Sequence, residues 1–271
     1  MDEELYAELA GRGPNDAVLG HAFISLVEPH RGYELAYTRW YEDDHFHAGA
    51  MAFPWWFSGR RWIATADLRA LRAGSDAATT LDQGWSLGTY WITARRLTEQ
   101  VRWLEATIPR LTAAGRMFEH RTHVMTGFFD LKDEWQRADH QPRAVHALEY
   151  PYAGLVLEII DQSAAEGAPL ATWLRDTFVP RRLAAGEAAQ CLHFAPLPWP
   201  GAGATSWFDY AEASAQRAVL VWFLEQDPRT TWPSFARHQA AIDDAGVGSL
   251  AFIGGFVPAL PGTDRYLDQI R

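Results

Sequence analysis

The chain has 271 residues, 48% of them hydrophobic, which is enough to bury one large core or two smaller ones without staples. Lys plus Arg number 24 against 34 Asp plus Glu, and a net charge of −10 argues against a phosphate-backbone partner, so nucleic acid is not expected. The single cysteine, Cys191, rules out an internal disulfide and a cysteine-rich metal motif. Together with an acidic amino terminus and no apolar run of membrane-spanning length, it predicts a cytoplasmic protein with no membrane partner.

Residues 1–16 read as an arm ending in the turn Gly13-Pro14-Asn15-Asp16. A first strand is predicted from Val18 to Val27, followed by a helix that starts near Tyr33 and is stopped by Pro54. Tyr33, Tyr37, Trp40, Tyr41, Asp44, His45 and Ala48 recur at three- and four-residue steps, so on that helix they share one stripe with a polar end. Strand two covers Trp56 to Thr65; strict alternation puts Trp56, Ser58, Arg60 and Trp62 on one face and Phe57, Gly59, Arg61 and Ile63 on the other. A loop with a helical turn (Ala66 to Gln83), a strand (Trp85 to Thr93), a helix (Arg95 to Ala114) and a strand (His120 to Asp130) follow.

After a polar connector from Leu131 to Pro151 the same order returns. Strands are predicted at Gly154 to Ile160, Ala188 to Ala195, Arg217 to Leu224 and Gly248 to Val257, with helices at Leu170 to Ala185 and Thr231 to Asp244. Thr230 or Thr231 is the expected cap of the last helix and Gly246 its stop. The order βαββαβ twice is an internal repeat, residues 17–135 and 136–271. Matching the halves by eye aligns Trp40 with Trp173, and five residues on it sets His45 against Phe178, so the polar equipment lies in the first copy only. The fold class expected is α+β: two fused ferredoxin-like βαββαβ repeats.

Chemistry concentrates between Tyr33 and Trp62. His45 is the candidate acid/base, because an imidazole titrates near neutral pH and can take and return a proton. Asp44 or Glu42 would orient it, Tyr37 and Tyr41 would donate to a substrate oxygen, and Arg61 or Arg60 would hold an oxyanion. Trp40, Trp56 and Trp62 would wall the pocket, with His123 the one histidine of the HRTHVM strand able to face it if His120 turns away. This set suits proton-transfer chemistry beside a carbonyl on a flat, apolar, aromatic or polyketide-like substrate: isomerisation, cyclisation or cofactor-free oxygenation. Two other readings stay open. His45 caps the helix and the barrel only binds a small molecule, or Asp44 and His47 hold a divalent metal with a third ligand from His21, His120 or His123. The glycine-rich loop near Gly201 lacks the strand-then-helix setting of a phosphate cradle, and Ser206 and Ser214 have no visible His and Asp partners.

Arg39-Trp40-Tyr41, His45, Pro54 and Arg61-Trp62 together resemble the dimeric α+β barrel superfamily, in particular its EthD-like branch. That branch carries R-W-Y-x-x-x-H-x-P on its first helix, then a proline turn and a strand ending in Arg plus an aromatic. His47 stands here where the family has Pro, and the second half keeps Pro180 without the histidine. The resemblance implies one site per chain, a barrel closed within the chain or as a homodimer, and helices outside. It also brings in haem, since tandem relatives hold it on a helix histidine, for which His45 or His47 would serve; the residues themselves point to no cofactor.

Overall fold

The computed structural model describes residues 17–52, 55–75, 79–163, 170–201 and 216–271. The expected amino-terminal arm, Pro54, Ser206 and Ser214 lie outside the described residues. Eight strands form a closed antiparallel barrel in the order β1-β3-β2-β8-β5-β7-β6-β4. They are β1 Leu19–Pro29, β2 Trp56–Ile63, β3 Ser86–Thr93, β4 Arg121–Gln136, β5 Gly154–Gln162, β6 Gln190–Pro196, β7 Arg217–Leu224 and β8 Gly248–Pro258. Read from β4, the first copy runs β4-β1-β3-β2 and the second β8-β5-β7-β6, the same order of strands four, one, three, two in each ferredoxin-like unit. The units meet at two seams, Trp62 opposite Pro258 and Ile63 opposite Val257 on one side, Phe129 through Gln136 against β6 on the other.

β3 is covered on both faces and buried at every position, its apolar Leu87, Tyr90, Trp91 and Ile92 interspersed with Ser86, Gly88, Thr89 and Thr93. Ala22, Ile24 and Leu26 of β1 enter the barrel interior with Trp62, Trp91, Phe194 and Phe223. Phe23 and Val27 face outward beneath the helices of the first copy, and a separate outer layer covers the second. Those helices are α1 (Glu34–Trp40), the short α2 (Ala66–Ala70) and α3 (Leu97–Ala113), then α4 (beginning Leu170–Trp173 and ending Val179–Ala184), α5 (Pro228–Phe235) and α6 (His238–Ala245).

Three departures from the sequence reading matter. First, α1 widens into a π-helix over Tyr41–Ala50, closed by Met51 N–H donating to the Phe46 carbonyl at 2.8 Å. Here a ring meets the ring five residues on rather than four: Trp40 and His45 stack at 4.3 Å with planes 21° apart. α4 has the same device at Leu174–Phe178, where Trp173 and Phe178 stack at 4.4 Å and 22°. Second, the register of β2 against β3 slips between Trp56 and Ser58. The extra residue turns Trp56 to the outer layer while Trp62 stays inside, so the two tryptophans do not share a face. Third, the last predicted helix is two helices, and its cap is Asp227, which accepts from Arg229 N at 2.9 Å before Pro228, instead of Thr230 or Thr231. Gly246 closes α6 at φ +64°, as its position requires.

Candidate active site

Between α1 with its π-turns, α3 and the outer face of β1, β3 and β4 lies a cavity of about 70 Å³. Tyr37, Trp40, Tyr41, His45, Trp56 and His123 line it, joined by Phe23, Ser25, Gly49, Tyr90, Leu104 and Arg121. A larger open cleft of about 790 Å³, bounded by α3 and the residues leading into β4, adjoins the cavity and shares Ile108, Met117, Arg121 and His123 with it.

His45 is held on two sides, stacked on Trp40 and edge-on to Tyr41 at 5.5 Å. Its Nδ1 is buried with no hydrogen-bond partner. A Cβ on Gly49 would stand 2.6 Å from that nitrogen, so glycine keeps it uncovered at a helix position where glycine is otherwise costly. Burial lowers the imidazole from 6.5 to about 3, and the Arg121 charge adds to the effect, so His45 is neutral at physiological pH. His123 is lowered to about 3 for the same reasons, burial first and then Arg121 and His45. Its Nδ1 lies 2.8 Å from Thr126 Oγ1, which is 2.8 Å from Ser25 Oγ, while Nε2 accepts from Arg121 Nε at 3.2 Å. A nitrogen that accepts on one side leaves the proton on the other, so His123 donates to Thr126.

Arg121 and Gly49 are the contributions the sequence reading missed. Arg121 follows from a simple register argument, because it sits two residues before His123 and therefore on the same strand face. Its guanidinium carbon lies 4.7 Å over Trp40, its Nη1 is buried without a partner, and no carboxylate pairs with it among the described residues. Tyr90 is a further omission: its hydroxyl meets that of Tyr41 in a short hydrogen bond, and burial raises the pKa of both phenols.

The remaining predicted residues stand elsewhere. Asp44 is partly exposed and bound by Arg116, whose Nε donates to it at 3.2 Å and which lowers its pKa; it makes no hydrogen bond to His45. Glu42 accepts from the buried Arg61 at 2.7 Å and from Gly262 N at 2.8 Å, and neither Glu42 nor Arg61 lines the cavity. Arg61 lies 4.6 Å over the Tyr41 ring, behind the wall. Arg60 donates to the Tyr150 carbonyl at 2.6 Å and caps the ring of Trp62, which donates to Thr89 Oγ1 at 3.0 Å inside the barrel. His120 is exposed and stacks on Tyr33 at 3.8 Å, and His21 pairs with Asp130.

Neither inorganic reading finds a fitting donor set. Asp44 is engaged by Arg116, His47 is exposed, and among the described residues no three of His, Cys, Asp and Glu gather where they could hold a metal ion. A haem needs a space of the order of the roughly 300–1,000 Å³ that encloses drug-sized ligands, and the cavity beside His45 has about 70 Å³. The cavity on His45 is too small to enclose the macrocycle, and neither His45 nor His47 lines the larger cleft of about 790 Å³, so the residues expected to hold a haem do not fit it.

In the second copy the equivalent space is filled. Phe178 takes the place of His45 and packs against His238 at 4.9 Å, which is wholly buried between Glu158 (3.0 Å) and Glu187 (3.2 Å). Burial works to lower the His238 pKa, but these carboxylates overcome it and the value is raised.

No protein-family model and no curated protein sequence matches the chain. Solved structures do. A protein described as a putative chlorite dismutase aligns with TM-score 0.50 and 10% identity over 93% of this chain and 100% of its own. A putative monooxygenase from Fusobacterium nucleatum subsp. nucleatum aligns with TM-score 0.50 and 10% identity over 89% and 93%. Among the described residues no helix is long and apolar enough to cross a membrane. At these identities the likeness speaks for architecture: the chain has the ferredoxin-like α+β barrel fold.

Proposed function

We propose that the chain is an enzyme that moves a proton on a small, flat, largely apolar carbonyl or phenol-like compound, with His45 as the base. The observation that carries this is the buried, bare Nδ1 of a neutral, half-buried imidazole in an aromatic cavity, left open by Gly49. A buried polar atom without a partner is disfavoured, and a substrate that donates to it removes the cost on binding. Once the proton crosses, the anion left on the substrate lies among His45, Arg121 and His123 and offsets the Arg121 charge that held the imidazole down, so basicity rises as the charge develops. Tyr37 and Tyr41 stay protonated donors, since burial raises both. The Arg39-Trp40-Tyr41 and His45 pattern shared with EthD-like enzymes supports the same reading. Isomerisation, cyclisation and oxygenation all begin with such a proton loss.

The test is deuterium uptake from D₂O at the methyl carbon of a flat aryl methyl ketone such as 2-acetylnaphthalene, followed by proton NMR. Exchange accelerated by the wild type and lost in His45→Gln with ketone binding retained is the expected result. Equal exchange in both proteins removes His45 from the chemistry. A second reading, a barrel that only sequesters its ligand, draws on the depressed basicity of His45. Intact binding with no accelerated exchange in the wild type selects it.

A further inference from the structure

The enclosed cavity holds about 70 Å³, less than half of the roughly 150 Å³ of an engineered cavity that takes up benzene, so a ring does not fit inside it as it stands. The cleft outside it holds about 790 Å³ and is walled on its apolar side by Ile108, Pro109, Met117 and Phe118. A ligand larger than a few atoms therefore keeps its body in the cleft, with only a small head group at the neck where the two spaces share a wall. Arg121 and His123 stand at that neck, since both line both spaces.

Arg121 is built as a receptor there. Its Nε is spent on His123, its plane rests on Trp40, its Nη1 is buried and unsatisfied, and no carboxylate neutralises it among the described residues. Glu119, the acidic residue on the cleft wall, makes no ion pair with it. An arginine with its plane fixed and its terminal donors free presents a fork that matches two oxygens of one carboxylate, and loss of water from the site strengthens the attraction. We propose that the ligand of this site is an aromatic carboxylate, its two oxygens on Arg121 and its ring in the cleft between α3 and the start of β4. This deepens the reading above, as it names what the same site recognises, but it concerns binding alone and needs no proton transfer.

The probes are 2-naphthoate and its neutral isostere 2-naphthamide, titrated calorimetrically into the full chain. Wild-type protein is expected to favour the carboxylate by about tenfold or more, the scale of one charge-assisted bidentate contact. Arg121→Gln brings the two affinities to within about twofold, and Arg121→Lys, which keeps the charge and loses the fork, gives an intermediate ratio. Arg110→Gln, on α3 but outside the cleft lining, leaves the wild-type ratio. His45→Gln keeps the preference, so a failed base assignment and a failed anion assignment give different results. No preference in wild-type protein, or a preference that survives in Arg121→Gln, overturns the proposal. If Arg121→Gln does not fold, an Arg121→Lys ratio equal to wild type overturns it instead.

Discussion

Gly49→Ala puts the cradle at His45 to its sharpest test. An added Cβ stands 2.6 Å from Nδ1, 3.0 Å from Cε1 and 3.4 Å from Cγ of the ring, where heavy atoms ordinarily rest about 3.5–4.0 Å apart. The ring cannot swing aside freely, because Trp40 is stacked on it at 4.3 Å and Tyr41 meets it edge-on. Displacement by about 1 Å therefore strains the Trp40 stack, at the 1–3 kcal/mol typical of overpacking. Alanine returns about 1 kcal/mol of helix propensity, so net stability falls by no more than about 2 kcal/mol. The chemistry falls further, because the same methyl covers the nitrogen assigned to the proton: exchange at the methyl of 2-acetylnaphthalene should drop at least about tenfold, the effect of about 1.4 kcal/mol in a barrier. A double-mutant cycle makes the reasoning quantitative. In a His45→Ala background the clash is absent, and Gly49→Ala should then stabilise by about 1 kcal/mol, giving a coupling energy of about 1–3 kcal/mol in denaturant unfolding. Coupling below about 0.5 kcal/mol, with exchange unaffected in the single variant, would refute the cradle.

Glu42→Gln leaves the buried Arg61 guanidinium without its counter-charge and should cost about 3–5 kcal/mol in urea unfolding, whereas replacing both residues with apolar ones recovers most of the loss. Trp62→Phe should destabilise by about 1–3 kcal/mol through lost packing and the lost bond to Thr89, yet leave naphthoate affinity unchanged; a weakened affinity would mean that Trp62 reaches the ligand. His45 and His123, held near 3 in the fold, make native stability complete above pH 6.5 and erode it as pH falls from 6.5 toward 3, because the unfolded chain binds those protons first. The fall in melting temperature from pH 7 to pH 5 should accordingly be smaller in His45→Gln. His238 acts in the other direction, since its raised pKa contributes stability below pH 6.5 that is lost as pH climbs through the raised value; His238→Gln should flatten the alkaline side of the melting profile.

The repeat was legible because periodicity and turn residues act locally: each strand of the second copy, and its first helix, appears in the chain as a run with its own punctuation. The Trp40–His45 and Trp173–Phe178 equivalence was also legible, from a five-residue spacing, although the reason for five lies in π-turns that no local propensity announces. What escaped depends on partners far along the chain. One extra residue near Phe57 reverses the side on which Trp56 lies relative to Trp62, and strict alternation has no means to see it. Asp44 looked like the orienting acid because it adjoins His45, but Arg116, 72 residues on, takes it. The value of Arg121 lies in lacking an acid, a property of three-dimensional surroundings and not of spacing.

β4 belongs to both halves of the barrel. Its opening residues, Arg121 and His123 among them, pair with β1, and its closing residues from Phe129 to Gln136 pair with β6 of the other copy. The cation at the neck is therefore mounted on one end of a beam whose far end is fixed in the half with no such pocket. Cutting the chain between the copies would free that far end, so a lone amino-terminal copy needs a substitute neighbour along Phe129 to Gln136 before its pocket wall can stand in register.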